Sequence, residues 1–242
     1  MSQEDRVRNV PRDGSSSQQA IVHGRDLTLR FYPAARPSER IRVYDLREAV
    51  YRGRCDYLLA SRDGSHSAED AHDPRSYLFA CGLGEEPSGP VVAACRFTPG
   101  GPGLWEAGES WRLPAELEAR SEELLQISRV VAREDIRRLE VTEVMMHLAC
   151  RWLIENSPYR RYFALCLPRL ARFYGHFGAE LYPGSGVCLP ERNSNRYQLI
   201  HGELEASASR IAEHLSQGRG AGEDGGAWRL PVQPPRVPAV VR

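Results

Sequence analysis

Three arginines stand among apolar residues in separate stretches of the chain: Arg47 in VYDLREAVY, Arg96 in AACRF and Arg129 in ELLQISRVVA. A guanidinium in such surroundings needs a carboxylate to face, from the protein or from a substrate. Asp70 and Asp73, three residues apart in AEDAHDPRSYLFA, are candidates for that partner role. In a loop of this composition they equally suit turns that bond their own backbone. Tyr174, in RFYGHFG, carries a proton on a predicted helix. His147 falls on an apolar helical face and reads as a core histidine, while His176 flanks Tyr174. The cysteines at 55, 81, 95, 150, 166 and 188 form no CxxC pair, so neither a zinc site nor a disulfide framework is indicated, and most read as buried free thiols.

These residues must be positioned by elements of alternating period. DLTLRFY (26–32) alternates apolar and polar residues as a half-buried strand does. From Ser38, a plausible N-cap, the pattern turns helical, with Ile41, Tyr44, Val50 and Tyr51 on one face. SYLFACG (76–82) and PVVAACRF (90–97) read as a hairpin, and LLQISRVVA (124–132) as a further strand. Residues 140–156 place Val141, Val144, Met145, Leu148 and Trp152 at helical spacing. Then follow a strand at 161–167, a short helix over PRLARFYGHF, a strand at 195–201 and a closing helix at 203–216. Early antiparallel hairpins and late βα units predict a mixed α/β fold, and exclude a TIM barrel and a plain Rossmann fold. The polar segment 1–22 and the Gly/Pro-rich segment 218–242 read as flexible, leaving one body over 23–217.

Composition narrows the chemistry. The 242 residues carry 32 basic and 32 acidic side chains, and this neutral balance argues against nucleic-acid binding. All the basic residues are arginine, which excludes Schiff-base chemistry, a P-loop lysine and a lysine base. No GxGxxG follows a predicted strand and no GxxxxGK[ST] occurs. No apolar run reaches the ~20 residues of a membrane span and no secretory h-region is present, so the expected location is cytoplasmic.

The order of elements resembles the GNAT acyltransferase superfamily. The finer pattern resembles its autoinducer (acyl-homoserine-lactone) synthase-like branch, including the long-chain N-acyl amino acid synthases. The pieces that carry it are VYDLREAVY, the acidic loop, AACRF, ELLQISRVVA and ARFYGHFG, in that order over residues 40–200. The resemblance implies transfer of a fatty acyl group from a carrier thioester to the amine of an amino acid or peptide-like acceptor, with no metal or redox cofactor. Arg96, Arg129 and Tyr174 are then catalytic candidates, Tyr174 as acid toward the leaving thiolate. Arg47, Asp70, Asp73, Gln126 and Ser128 are substrate-binding candidates. Autoinducer synthases carry a glutamate where this chain has Gln126, so the base falls to Glu123 or Glu122, the acidic loop, or water. CoA-using relatives place a glycine-rich turn where this chain reads AREDIRRLEV. A turn without glycine favours acyl carrier protein as donor over acyl-CoA, with Arg133, Arg137 and Arg138 as its contacts. Three rivals follow from the same resemblance: a homoserine-lactone synthase using S-adenosylmethionine, a CoA-dependent acetyltransferase, and a non-catalytic carrier-binding domain. His66 and Asp70 also spell HxxxD, as in another acyltransferase family, but without that family's domain context.

Overall fold

The structure is a computed structural model that describes residues 19–24, 27–52, 55, 58, 68–101, 105–106, 111–136 and 140–217. His66, Arg137, Arg138 and the segments 1–18 and 218–242 lie outside the described residues.

Nine strands form one mixed sheet with helices on its faces, as the sequence predicts. The strands are β1 (Ala20–Gly24), β2 (Leu27–Pro33), β3 (Tyr77–Leu83), β4 (Val91–Pro99), β5 (Leu124–Ala132), β6 (Arg161–Cys166), β7 (Glu180–Leu181), β8 (Val187–Leu189) and β9 (Asn195–Glu203). They lie in the order β1-β2-β3-β4-β5-β6-β9-β7, with β8 also pairing β9. The helices are α1 (Pro37–Tyr51), α2 (Ala115–Glu118), α3 (Val141–Asn156), α4 (Pro168–His176) and α5 (Leu204–Gln217). Strands β1, β7 and β8 and helix α2 are additions to the sequence reading. They are short, and none has enough residues to display a period. Strand β1 also takes up the end of the segment read as a flexible arm.

Strands β3 and β4 are buried along almost their whole length, which explains their near-continuous apolar runs. One face of the sheet packs Leu29, Phe31, Phe79, Cys95, Phe97 and Ile127 against α3 and α5. The other face carries two separate apolar clusters. Tyr32, Leu78, Ala80, Ala94 and Val131 pack beneath α1, whereas Leu124, Phe163 and Leu199 pack beneath Trp105, Leu113 and Leu117. Helix α1 differs in two details from its sequence reading. Pro37 occupies its first turn, and Glu39 accepts the backbone N–H groups of Ala35 (3.1 Å) and Arg36 (3.0 Å), so the N-cap is Arg36 and not Ser38. Its buried face is Val43, Tyr44, Leu46, Arg47 and Tyr51, while Ile41 is exposed.

Two irregularities shape the middle of the sheet. Strands β5 and β6 are parallel and pair only over Leu124–Gln126 with Arg161–Phe163, after which they part. On the other side of β5, Ala94 faces Val131 but Arg96 faces Ser128, so Arg129 and Val130 together oppose Cys95. This is a β-bulge, and Arg129 adopts the left-handed backbone (φ 53°) that a bulge residue can require.

Candidate active site

The gap between the two apolar clusters on the α1 face is filled by ions. Arg47 comes from α1, Arg96 from β4 and Arg129 from the bulge in β5. Asp70 and Asp73 come from the loop and 3-10 turn that precede β3. Arg47 Nη1 donates to Asp73 Oδ2 at 2.8 Å, both side chains being fully buried. Arg96 donates from Nη1 to Asp73 at 3.1 Å and to Asp70, and from Nε to Ser128 Oγ at 3.0 Å. Arg129 Nη2 lies 2.9 Å from Asp70 Oδ2. Asp73 also accepts the backbone N–H of Asp70 (3.0 Å), which holds the acidic loop in its turn. The acidic pair therefore makes local turn bonds and faces the arginines as well.

The sequence reading missed two members of the cluster. Glu106 accepts from Arg96 at 2.9 Å and pairs with Arg129 at 3.1 Å and with Arg192 at 2.7 Å. Arg192 ends the 3-10 turn between β8 and β9 and also lies over the ring of Tyr197. Glu106 is aimed by its neighbours. Trp105 stacks edge-on against Phe163, with centroids 4.8 Å apart, and covers Gly100, where a Cβ would fall 1.8 Å from its ring. Gln126 Oε1 accepts the backbone N–H of Glu106 at 2.8 Å. Gln126 thus holds the residue that carries the Glu106 carboxylate in place.

Glu123 does not join this group. It is exposed on a 3-10 turn at the start of β5, as is Glu122. Arg133 is likewise a partly exposed residue paired with Asp135. His147 is a core histidine bonded to the carbonyl of Ala208 (2.9 Å), and His176 is exposed. Cys81, Cys95, Cys150 and Cys166 are buried free thiols, and burial pushes Cys166 up to about 11 and Cys150 up to about 12. Such thiols stay protonated and unreactive at neutral pH.

Burial alone would raise the Glu106 pKa, but Arg129, Arg96 and Arg192 outweigh it and hold the carboxyl well below its usual range. Asp70 is lowered in the same way, burial being overcome by Arg96 and Arg129. A carboxyl so held is an anchor and not a proton acceptor near neutrality. The sign for stability follows: a lowered folded pKa adds stability above the unfolded value of about 4, lost as pH falls toward the folded value. The urea midpoint is expected to hold from pH 7 to 5 as far as these groups control it, then fall steeply below about pH 4. Glu106→Gln should flatten that acid limb, and an unchanged limb counts against the linkage.

Where β5 and β6 part, a cavity of 230 Å³ passes through the sheet. Its polar end is lined by Tyr51, Ser128, Glu106, Arg129 and Arg192. Beyond these lie Ile127 and Val130 of β5, Ala164 and Cys166 of β6, Leu170, Phe173 and Tyr174 of α4, and residues of α3 and α5. Tyr51 is buried beside Arg129, whose Cζ lies 5.9 Å from the ring. Burial raises the Tyr174 phenol, so it remains protonated. Sequence reasoning thus brings Arg96, Arg129, Asp70, Asp73, Gln126 and Ser128 into one neighbourhood, with Arg47 behind Asp73 and Tyr174 on the cavity wall.

The fold that carries this cavity is also found in known structures. FeeM, an N-acyl amino acid synthase from uncultured soil microbes, superimposes with a TM-score of 0.55 at 13% identity, over 76% of this chain and 95% of FeeM. The fold is that of the GNAT acyltransferases. MesI, a CoA-dependent acyl-homoserine lactone synthase, matches with a TM-score of 0.53 at 12% identity, over 73% of this chain and 87% of MesI. The acyl-homoserine lactone synthase LasI gives 0.52 at 14%, over 75% and 91%. No protein-family model and no curated protein matches the sequence. Among the described residues, no helix of this GNAT fold is long and apolar enough to cross a membrane.

Proposed function

We propose that residues 23–217 form one catalytic unit, an N-acyltransferase that moves a fatty acyl group from a carrier thioester to the amine of a carboxylate-bearing acceptor such as an amino acid. The observation that carries this reading is the cavity in the splay, which joins an apolar bore to a buried ionic cluster. The acyl chain lies in the bore and the thioester lies at the level of Ser128–Val130. Beyond Gln126 the edge of β5 has no strand beside it, and its backbone N–H groups supply donors for the oxyanion of the tetrahedral intermediate. Arg47, Arg96, Arg129 and Arg192 face Asp70, Asp73 and Glu106, so the cluster holds four positive charges against three negative ones. The excess positive charge favours an acceptor that carries a carboxylate. Glu106 and Asp70 stay ionised, so the amine proton leaves through water and not to them.

Tyr174 donates its hydroxyl proton, or a hydrogen bond, to the departing thiolate. Tyr174→Phe keeps the ring and removes that donor, and a fall in kcat of about tenfold with little change in KM is expected. An unchanged kcat removes Tyr174 from the reaction.

Acyl carrier protein is the preferred donor and the protein acts in the cytoplasm. Two features support the donor. The segment before α3 lacks the glycine turn that a pyrophosphate requires, and Glu140, Glu143 and Asp135 put negative charge at the start of that helix. Mass spectrometry of products from acyl carrier protein or acyl-CoA, each with pooled amino acids and S-adenosylmethionine, tests the whole reading. Amide product from the carrier protein supports it. Product from acyl-CoA alone overturns the donor preference, and a homoserine lactone overturns the acceptor. Carrier binding without product points to a non-catalytic binding domain.

A further inference from the structure

A pair of hydroxyl groups lines the bore where β5 and β6 come together. Tyr162 belongs to the short stretch where β5 and β6 still pair, opposite Leu125, and on its other side it faces Gly202 of β9. It therefore sits at the vertex of the splay, on the face covered by α3 and α5. Its hydroxyl bonds Ser207 Oγ of α5 at 2.8 Å, with both side chains buried. The ring reaches across β9, and a Cβ on Gly202 would fall 2.6 Å from the Tyr162 oxygen.

The remaining lining falls into levels along the bore. Helix α3 runs back along β5, so its stripe Thr142, Met146 and Cys150 descends from the open end toward the vertex. Helix α5 starts at the vertex and runs outward, placing Ser207 deep and Ile211 one turn nearer the mouth. Tyr162, Ser207 and Cys150 make up the deepest level. Ala164, Ile127, Met146 and Ile211 form the next.

We propose that the Tyr162–Ser207 pair is the floor of the acyl pocket and limits the donor to a medium chain of at most about eight carbons, since from the level of Ser128 to that of Leu125, opposite Tyr162, is three residues or about 10 Å of strand, the extended length of about eight carbons. A longer chain meets an aromatic ring packed across Gly202 of β9, not a flexible aliphatic side chain that moves aside. This inference rests on the cavity being the acyl site.

Binding of S-alkyl pantetheine thioethers with 4 to 14 carbons, measured by calorimetry on the full chain, tests it without needing turnover. Affinity is expected to rise about fourfold per methylene to about eight carbons and then to stop rising or fall. Tyr162→Ala opens the floor and should move the break outward by roughly two to four carbons, while Tyr162→Phe, which keeps the ring, should leave it in place. Cys150→Leu fills the same level and should move the break to shorter chains, so the test survives if Tyr162→Ala fails to fold. A wild-type series that keeps gaining affinity to 14 carbons overturns the floor and leaves the acyl site standing. Failure of both Tyr162→Ala and Cys150→Leu, when folded, to move the break does the same. Binding independent of chain length overturns the acyl site and the floor together.

Discussion

Replacing Glu106 by glutamine is expected to lower kcat/KM for acyl transfer by about a hundredfold, through loss of the geometry around the cavity mouth. Among the described residues, Glu106 is the one carboxylate facing Arg96, Arg129 and Arg192 together, at 2.9, 3.1 and 2.7 Å. Glutamine has nearly the same shape, so the backbone bond from residue 106 to Gln126 can persist while the charge is gone. Three guanidiniums then face an amide that can accept from only one or two of them. The arginines at the cavity must turn elsewhere, and displacements of about 1 Å are enough for losses of this size. Steady-state kinetics on a variant with an unchanged circular dichroism spectrum checks the point. Activity within about threefold of the parent removes Glu106 from the site.

The second large effect is on stability. Arg96→Met is expected to destabilise the fold by about 3–5 kcal/mol, because one guanidinium serves Asp70, Asp73 and Glu106 and the carboxylates left behind are buried. For a chain of this size that corresponds to a fall in Tm of roughly 10 °C or more. The contrast is Arg133→Ala. Its pair with Asp135 joins side chains that are 39% and 57% exposed, where solvent screening leaves only a small effect. Thermal unfolding of the two variants side by side decides it, and equal shifts sink the account of the cluster.

The sheet was legible wherever burial leaves a run or a period. LLQISRVVA is β5 residue for residue, and the apolar face of α3 follows its sequence pattern. Arg96 and Arg129 stood out because charge inside such a run demands a partner. Glu106 gave no such signal. It lies in GPGLWEAGES, a glycine-rich stretch without period, and is brought inward by Trp105 packing over Gly100. A large aromatic beside a carboxylate in an otherwise small and polar loop was the only clue, and it is a weak one. Arg192 was hidden for a similar reason, in a turn whose position depends on β8 and β9 pairing far from the rest of the cluster in sequence. The bulge at Arg129 was also invisible, since an arginine with positive φ is set by strand register and not by local preference.

The three residue pairs that join β5 to β6 make a narrow spine. Strands β1–β5 form one leaf and β6–β9 the other, and no ladder hydrogen bond needs to break for the leaves to spread beyond Gln126. Contacts that resist that spreading include the packing of α3 against α5 behind the sheet, the edge-on contact of Trp105 with Phe163 of β6, and the bond from Glu106 on the first leaf to Arg192 on the second. The ionic cluster is therefore also a clasp. Its strength sets how far the two leaves can part.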